Sequence, residues 1–299
     1  MLGRMNLDPL LDRLPLGRWR KTGPQVPVIR LSGIIGAASR FKEGMTDGAL
    51  APLIERAFSM RRVPAVALAI NSPGGAATQS ALIAGRIRAM ADEKKLPVIA
   101  FVEDVAASGG YWLAAAADEI YAAETSIVGS IGVIAAGFGF EDAIGKLGIK
   151  RRLYTAGARK SLLDPFLAEK PEDVERLKSV QREIHEAFKT YIRTRRAGKL
   201  KVSEDELFTG EFWTGKRGLE LGLVDGIGDL RTVLRQRFGD KVRIKTMGAG
   251  KSWLRRRMGL AAAGNGDALA DLVDAGLADW APQLLAALEA RALWSRYGL

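Results

Sequence analysis

The chain has 299 residues, 47% of them apolar and 26% charged, with no cysteine and one histidine. This is the composition of a globular protein long enough to bury a large core. It excludes a disulfide framework, a thiolate nucleophile, a cysteine-ligated zinc and any multi-histidine metal site, and it leaves His185 as the sole candidate base for a Ser-His-Asp triad. The 45 Lys and Arg outnumber the 34 Asp and Glu, for a net charge of +11. Such a balance fits nucleic acid, an acidic membrane surface or a solvated exterior. The basic residues fall in scattered clusters such as Lys150-Arg151-Arg152 and Arg255-Arg256-Arg257, with no interleaved aromatics, so nucleic-acid binding is not expected.

The N-terminal arm, 1–24, has no continuous apolar stretch before a small-residue cleavage site and does not read as a secretory signal peptide. Leu7, Leu10, Leu11 and Leu14 suit a short interfacial helix or an arm docking on a neighbouring subunit. From Pro24 apolar runs alternate with helical patterns. Strands are expected at Val26 to Leu31, Pro64 to Ile70 and Pro97 to Val102, with helices at Gly48 to Met60, Ala76 to Ala91 and Ser108 to Ala117. Further strands are expected near Ile120 to Ala122, Ile131 to Ala135 and Arg151 to Thr155. Gly157 to Glu169 reads as a loop. Pro171 then opens a long charged helix to about Arg196, with acidic residues in its first turn. A small α/β segment runs to Met247, and 248–299 reads as an Ala/Leu-rich helical extension. No run is apolar and long enough to span a membrane. Strands alternating with helices of these lengths predict an α/β domain of repeated βαβ units over 25–247.

Several motifs mislead. Gly250-Lys251-Ser252 resembles the end of a P-loop, but Lys245 stands where that pattern needs its first glycine. Ser39 to Lys42 and Lys21-Thr22-Gly23 match fragments of a penicillin-binding pattern in the wrong order. His185 sits among acidic residues on the charged helix and reads as a solvated side chain. Two glycine-rich junctions remain, each between a strand and a helix. Asn71-Ser72-Pro73-Gly74-Gly75 would leave backbone amides free to receive an anion, or be an ordinary turn. In Ala107-Ser108-Gly109-Gly110-Tyr111 a serine is held at a helix start beside the Gly109 amide, which is the logic of a nucleophile elbow. The competing reading is a serine that merely caps the helix. Adjacent parallel strands would bring both junctions to one edge of the sheet.

These junctions, with Val128-Gly129-Ser130-Ile131-Gly132-Val133, Thr155-Ala156-Gly157-Ala158-Arg159-Lys160, Phe212-Trp213-Thr214-Gly215 and Leu221-Gly222-Leu223-Val224-Asp225, resemble the S49 peptidase family of signal peptide peptidase A and protease IV, in its half-length form. The resemblance covers about Val26 to Phe238. It implies a ClpP/crotonase-like fold, with Ser108 as nucleophile, Lys160 as general base and Ser130 orienting the lysine. The amides of Gly109 and of Gly74 or Gly75 would form the oxyanion hole. A lysine that acts as base must first lose its proton, which burial among apolar groups favours. The resemblance also implies no cofactor and no metal, extended and largely apolar peptides as substrates, and a homo-oligomeric ring whose serine and lysine come from neighbouring subunits. A cytoplasmic chain is expected, with peripheral contact at the inner membrane left open. The competing expectations are an acyl-CoA enzyme on the related crotonase-like fold and a catalytically idle scaffold.

Overall fold

The computed structural model describes residues 23–36, 44–157, 159–247 and 291–299. The N-terminal arm up to residue 22, the penicillin-binding-like fragment Ser39 to Lys42, the P-loop-like turn from 248 onward and most of the C-terminal extension lie outside these residues.

The continuous apolar run of β2 (Val66–Ser72) is buried along almost its whole length, as a central parallel strand must be. It lies between β1 (Gln25–Ser32) and β3 (Val98–Ala107). Beyond β1 the sheet ends on β8 (Arg243–Met247). On the other side the ten-residue β3 has two successive partners. Its first half pairs with β4 (Glu119–Ala122), and its second half pairs with β5 (Ile127–Gly129). β5 continues to β6 (Phe212–Thr214), the sole antiparallel pairing among the described residues, and β4 pairs with β7 (Gly226–Ile227).

Helices α1 (Asp47–Phe58), α2 (Ala77–Lys94) and the short α3 (Gly109–Ala114) cover one face. There Ile29, Leu31, Leu68, Ile70, Ile83 and Ile87 form the main core, all at 0% exposure. The alternate residues Val26, Val28, Ala67 and Phe101 face the other way. They pack against Val233 and Leu234 of α8 (Leu230–Phe238). Further helices among the described residues are α4 (Glu141–Lys146), α5 (Pro171–Arg195), α6 (Glu204–Leu207) and α7 (Gly215–Leu221), and 291–295 are also helical. The expected α/β architecture of parallel strands joined by helical crossovers is therefore present.

Two expected strands are not. Ile131 to Ala135 falls just after β5, because Ser130 turns the chain at φ 54° and ends the ladder. Arg151 to Thr155 is exposed and unpaired. A β-prone run becomes a strand only where a neighbouring strand offers it hydrogen bonds, and none of the described residues does so there. The end of the first run and the whole of the second lie in one arm, 133–167, which also carries the unforeseen α4. No residue of α4 is buried. Among the described residues several bonds tie the arm to itself: Phe140 N–H donates to Pro165 O at 2.6 Å, Arg151 pairs with Asp164 at 2.9 Å, and the Phe140 and Phe166 rings stack at 5.6 Å.

Candidate active site

Ser108 stands between β3 and α3 with φ 52° and ψ −123°, and its hydroxyl makes no capping hydrogen bond to the helix. A capping serine lies in the extended region and accepts from the first turn, so the capping reading fails. A bulkier residue than glycine at this φ costs about 1–3 kcal/mol and persists only where its surroundings hold it. Here they do. Ser108 N–H donates to Gly129 O at 2.8 Å, and Ser108 O accepts from the amides of Tyr111 at 2.9 Å and Trp112 at 3.0 Å. The six residues of α3 are all buried, so the elbow sits on a rigid base. The side chain of Ser108 itself is half-buried.

The first glycine junction meets this elbow, as adjacent parallel strands require. A Cβ on Gly74, at φ 105°, would lie 2.8 Å from Ser108 Cβ and 3.0 Å from Gly109 N. Gly74 is thus glycine both for its backbone angle and because Ser108 occupies the space of a side chain. Its amide is not free. It donates to Ser72 Oγ at 3.2 Å, and that hydroxyl donates in turn to Gly33 O at 2.6 Å. Among the described residues the amides of Gly75 and Gly109 have no such partner: Gly75 is exposed, and Gly109 opens the helix. The geometry therefore leaves Gly109 and Gly75 as the available amide pair and gives Gly74 the part of making room.

Ser130 comes to the same edge through the pairing of Ala107 with Gly129. It is 5% exposed and also has a positive φ, 54°. Its N–H donates to Glu211 O at 2.6 Å, and its carbonyl accepts from Gly132 N at 3.0 Å. Trp213 of β6 packs over Gly129, where a Cβ would lie 2.7 Å from the indole. Tyr297, 8% exposed, donates its hydroxyl to Ser130 Oγ at 3.4 Å and packs with Trp294 on Val105 and Ala107. A cavity of about 700 Å³ opens beside Tyr297 on the α8 side, lined by Phe101, Glu103, Ile127 and Leu230 among others, and it does not include Ser108.

Lys160 is not part of this cluster within one chain. It lies exposed in a turn of the arm, where its amide donates to Gly157 O at 3.2 Å, and no contact of the described residues joins it to Ser108 or Ser130. Two contributions were not legible beforehand. Tyr297 lies in a segment whose placement no motif announced. His185 is half-buried, and its Nε2 is 3.0 Å from Ile131 O, so the solvated reading is corrected. The spacing of His185, Phe188 and Ile192 puts the imidazole on the core-facing stripe of α5, a signal outweighed by the neighbouring charges.

A strained serine on a strand-to-helix elbow, beside two free amides, defines a site of serine-hydrolase type. The sequence comparison narrows the class: residues 90–241 match the model of peptidase family S49, and the chain belongs to that family. It is 47% identical over 294 residues, 98% of its own length, to a protein of Brucella abortus (strain 2308) named Na(+)/H(+) antiporter NhaA, of which it covers 39%. It is 35% identical to the chloroplastic serine protease SPPA of Arabidopsis thaliana over 69% of this chain and 31% of that one. To Protease 4 of Haemophilus influenzae it is 31% identical over 78% of this chain and 38% of that one. The chain thus spans less than two fifths of each of these relatives, and the antiporter name describes a much longer protein. Among the described residues no helix is long and apolar enough to cross a membrane.

Proposed function

We propose that the chain is a serine endopeptidase in which Ser108 attacks the peptide carbonyl, the amides of Gly109 and Gly75 hold the oxyanion, and Lys160 from a second copy of the chain is the base. The observation that carries the reading is the backbone of Ser108: it sits at positive φ, caps nothing, and has Gly74 cleared of a side chain against it. Strain of this kind in a serine that does no capping is what an exposed nucleophile requires. Each oxyanion donor would be worth ~10²–10³ in rate. Ser130 would orient the lysine, as the family resemblance implies.

The arm supports assembly. Ile134 is 62% exposed, Phe138 70%, Leu147 74% and Tyr154 90%, and they lie on the arm that carries Lys160. An apolar surface of this kind marks a contact with a partner. Docking it on a neighbouring copy would bring Lys160 to another chain's Ser108 and bury it, which favours the neutral amine a base must be. Substrates would be extended, largely apolar peptides.

Hydrolysis of an unstructured peptide tests the reading. Ser108→Ala and Lys160→Met should each lower kcat by ~10³-fold or more, and a fluorophosphonate probe should label wild-type Ser108. Full activity in either variant would remove that residue from the mechanism.

A further inference from the structure

We infer that His185 is a positioning residue of the peptidase site, acting on Ser130 through the Ile131 carbonyl. The inference rests on the proposed role of Ser130. His185 Nε2 lies 3.0 Å from Ile131 O. A carbonyl oxygen can only accept, so Nε2 carries the proton and donates. Ile131 follows Ser130 directly. The peptide before Ser130 is held by a second bond, in which Gly129 O accepts from Ser108 N–H at 2.8 Å. The imidazole is therefore linked to the nucleophile's own backbone through three consecutive residues. Ser130 has a φ of 54°, and a residue in that region keeps its place only when its neighbours over-determine it. Glu211 O holds its amide on the β6 side, while His185 holds the following carbonyl on the α5 side.

α5 is itself anchored to the elbow. One turn beyond His185, Phe188 stacks on Trp112 of α3 at 4.5 Å between centroids, and Tyr191 stacks on the same indole at 5.4 Å. A single helix thus touches both the base of the Ser108 elbow and the Ser130 turn. Phe188 and Tyr191 supply the packing, and His185 supplies the directional contact. The only histidine in the chain takes part in the reaction without exchanging a proton with substrate.

The test compares His185→Gln with His185→Asn in the assembled protein, using peptide hydrolysis. Glutamine places an N–H at about the reach of Nε2, whereas asparagine, also polar, stops one carbon short. The Asn variant should lose about 10-fold to 10²-fold in kcat, as a small misplacement of reacting groups does, with KM within about two-fold. The Gln variant should stay within about three-fold of wild type by the same geometric argument. Wild-type kcat in the Asn variant, equal losses in both variants, or a loss confined to KM would each overturn the inference. Ser130→Ala run in parallel separates the two claims. If it keeps wild-type kcat, the reading of Ser130 fails; if it is impaired while His185→Asn is not, only the part given to His185 fails.

Discussion

Gly74 shows how tightly one residue constrains the proposed chemistry. Its missing side chain is the space in which Ser108 Cβ sits, at 2.8 Å from the position a Cβ would take, and its φ of 105° disfavours any other residue. Gly74→Ala must therefore push the β2–α2 junction away from the elbow. The chain should still fold, because the core under the sheet is untouched, but the Gly75 amide moves with the junction. Losing one oxyanion donor costs ~10²–10³ in rate, so kcat should fall by about that factor. A peptide assay beside a thermal melt checks this, and an active Gly74→Ala variant would remove the junction from the site. Ser108 and Gly109 could be singled out from sequence because a serine followed by two glycines at a strand-to-helix junction is the pattern of an elbow. The division of labour between Gly74 and Gly75 could not be read. It depends on the Ser72 hydroxyl turning towards Gly33 O and the Gly74 amide, and no pattern of residue types encodes that rotamer.

At the scale of elements, the motif Leu221 to Asp225 is structural. Gly222 O accepts from Arg196 Nη2 at 2.6 Å, Leu223 O accepts from Tyr111 of α3 at 2.7 Å, and Asp225 Oδ2 accepts from Ile120 N at 2.8 Å. Arg196, 1% exposed, also pairs with Asp225 at 2.7 Å, and Lys199 pairs with it at 2.8 Å. The C-terminal end of α5, the turn after α7 and β4 are thus joined through the Asp225 carboxylate, and the elbow helix joins the same turn through the Leu223 carbonyl. Burial alone would raise the pKa of Asp225, but the hydrogen bonds from Arg196, Lys199 and the Ile120 amide together outweigh it and hold the group below its ordinary 3.8. A depressed carboxylate stabilises the fold fully above its unfolded value, and that contribution is lost as pH falls through the folded one. Asp225→Ala leaves a buried guanidinium without its partner, at a cost of about 3–5 kcal/mol near neutral pH. Urea unfolding at pH 7 and again below pH 3 should show the gap between wild type and variant narrowing in acid. A gap that does not change with pH would contradict the assignment. The central helices and strands were legible because their periodicity is enforced by the core. The strand expected at Arg151 to Thr155 failed because apolar content alone does not supply a hydrogen-bonding neighbour.

At the scale of the molecule, the described residues of one chain place the proposed nucleophile Ser108 beside two unpartnered amides, and leave the proposed base Lys160 away from them. The sequence carries Lys160 clearly as the end of a motif, and carries nothing of where it lies; in the proposed assembly the arm 133–167 would take its final place from a surface of the neighbouring copy. Its exposed Phe138, Leu147 and Tyr154 are the residues that such a docking would cover. If each site takes its serine from one copy and its lysine from the next, two inactive variants can repair each other. Ser108→Ala and Lys160→Met chains, each inactive alone, are to be mixed in equal amounts, dissociated, reassembled and assayed on a peptide. In a head-to-tail ring filled at random, roughly a quarter of the sites receive both intact residues, and about that fraction of wild-type kcat should return. Mixed assemblies of normal size that remain inactive would contradict a site shared between chains.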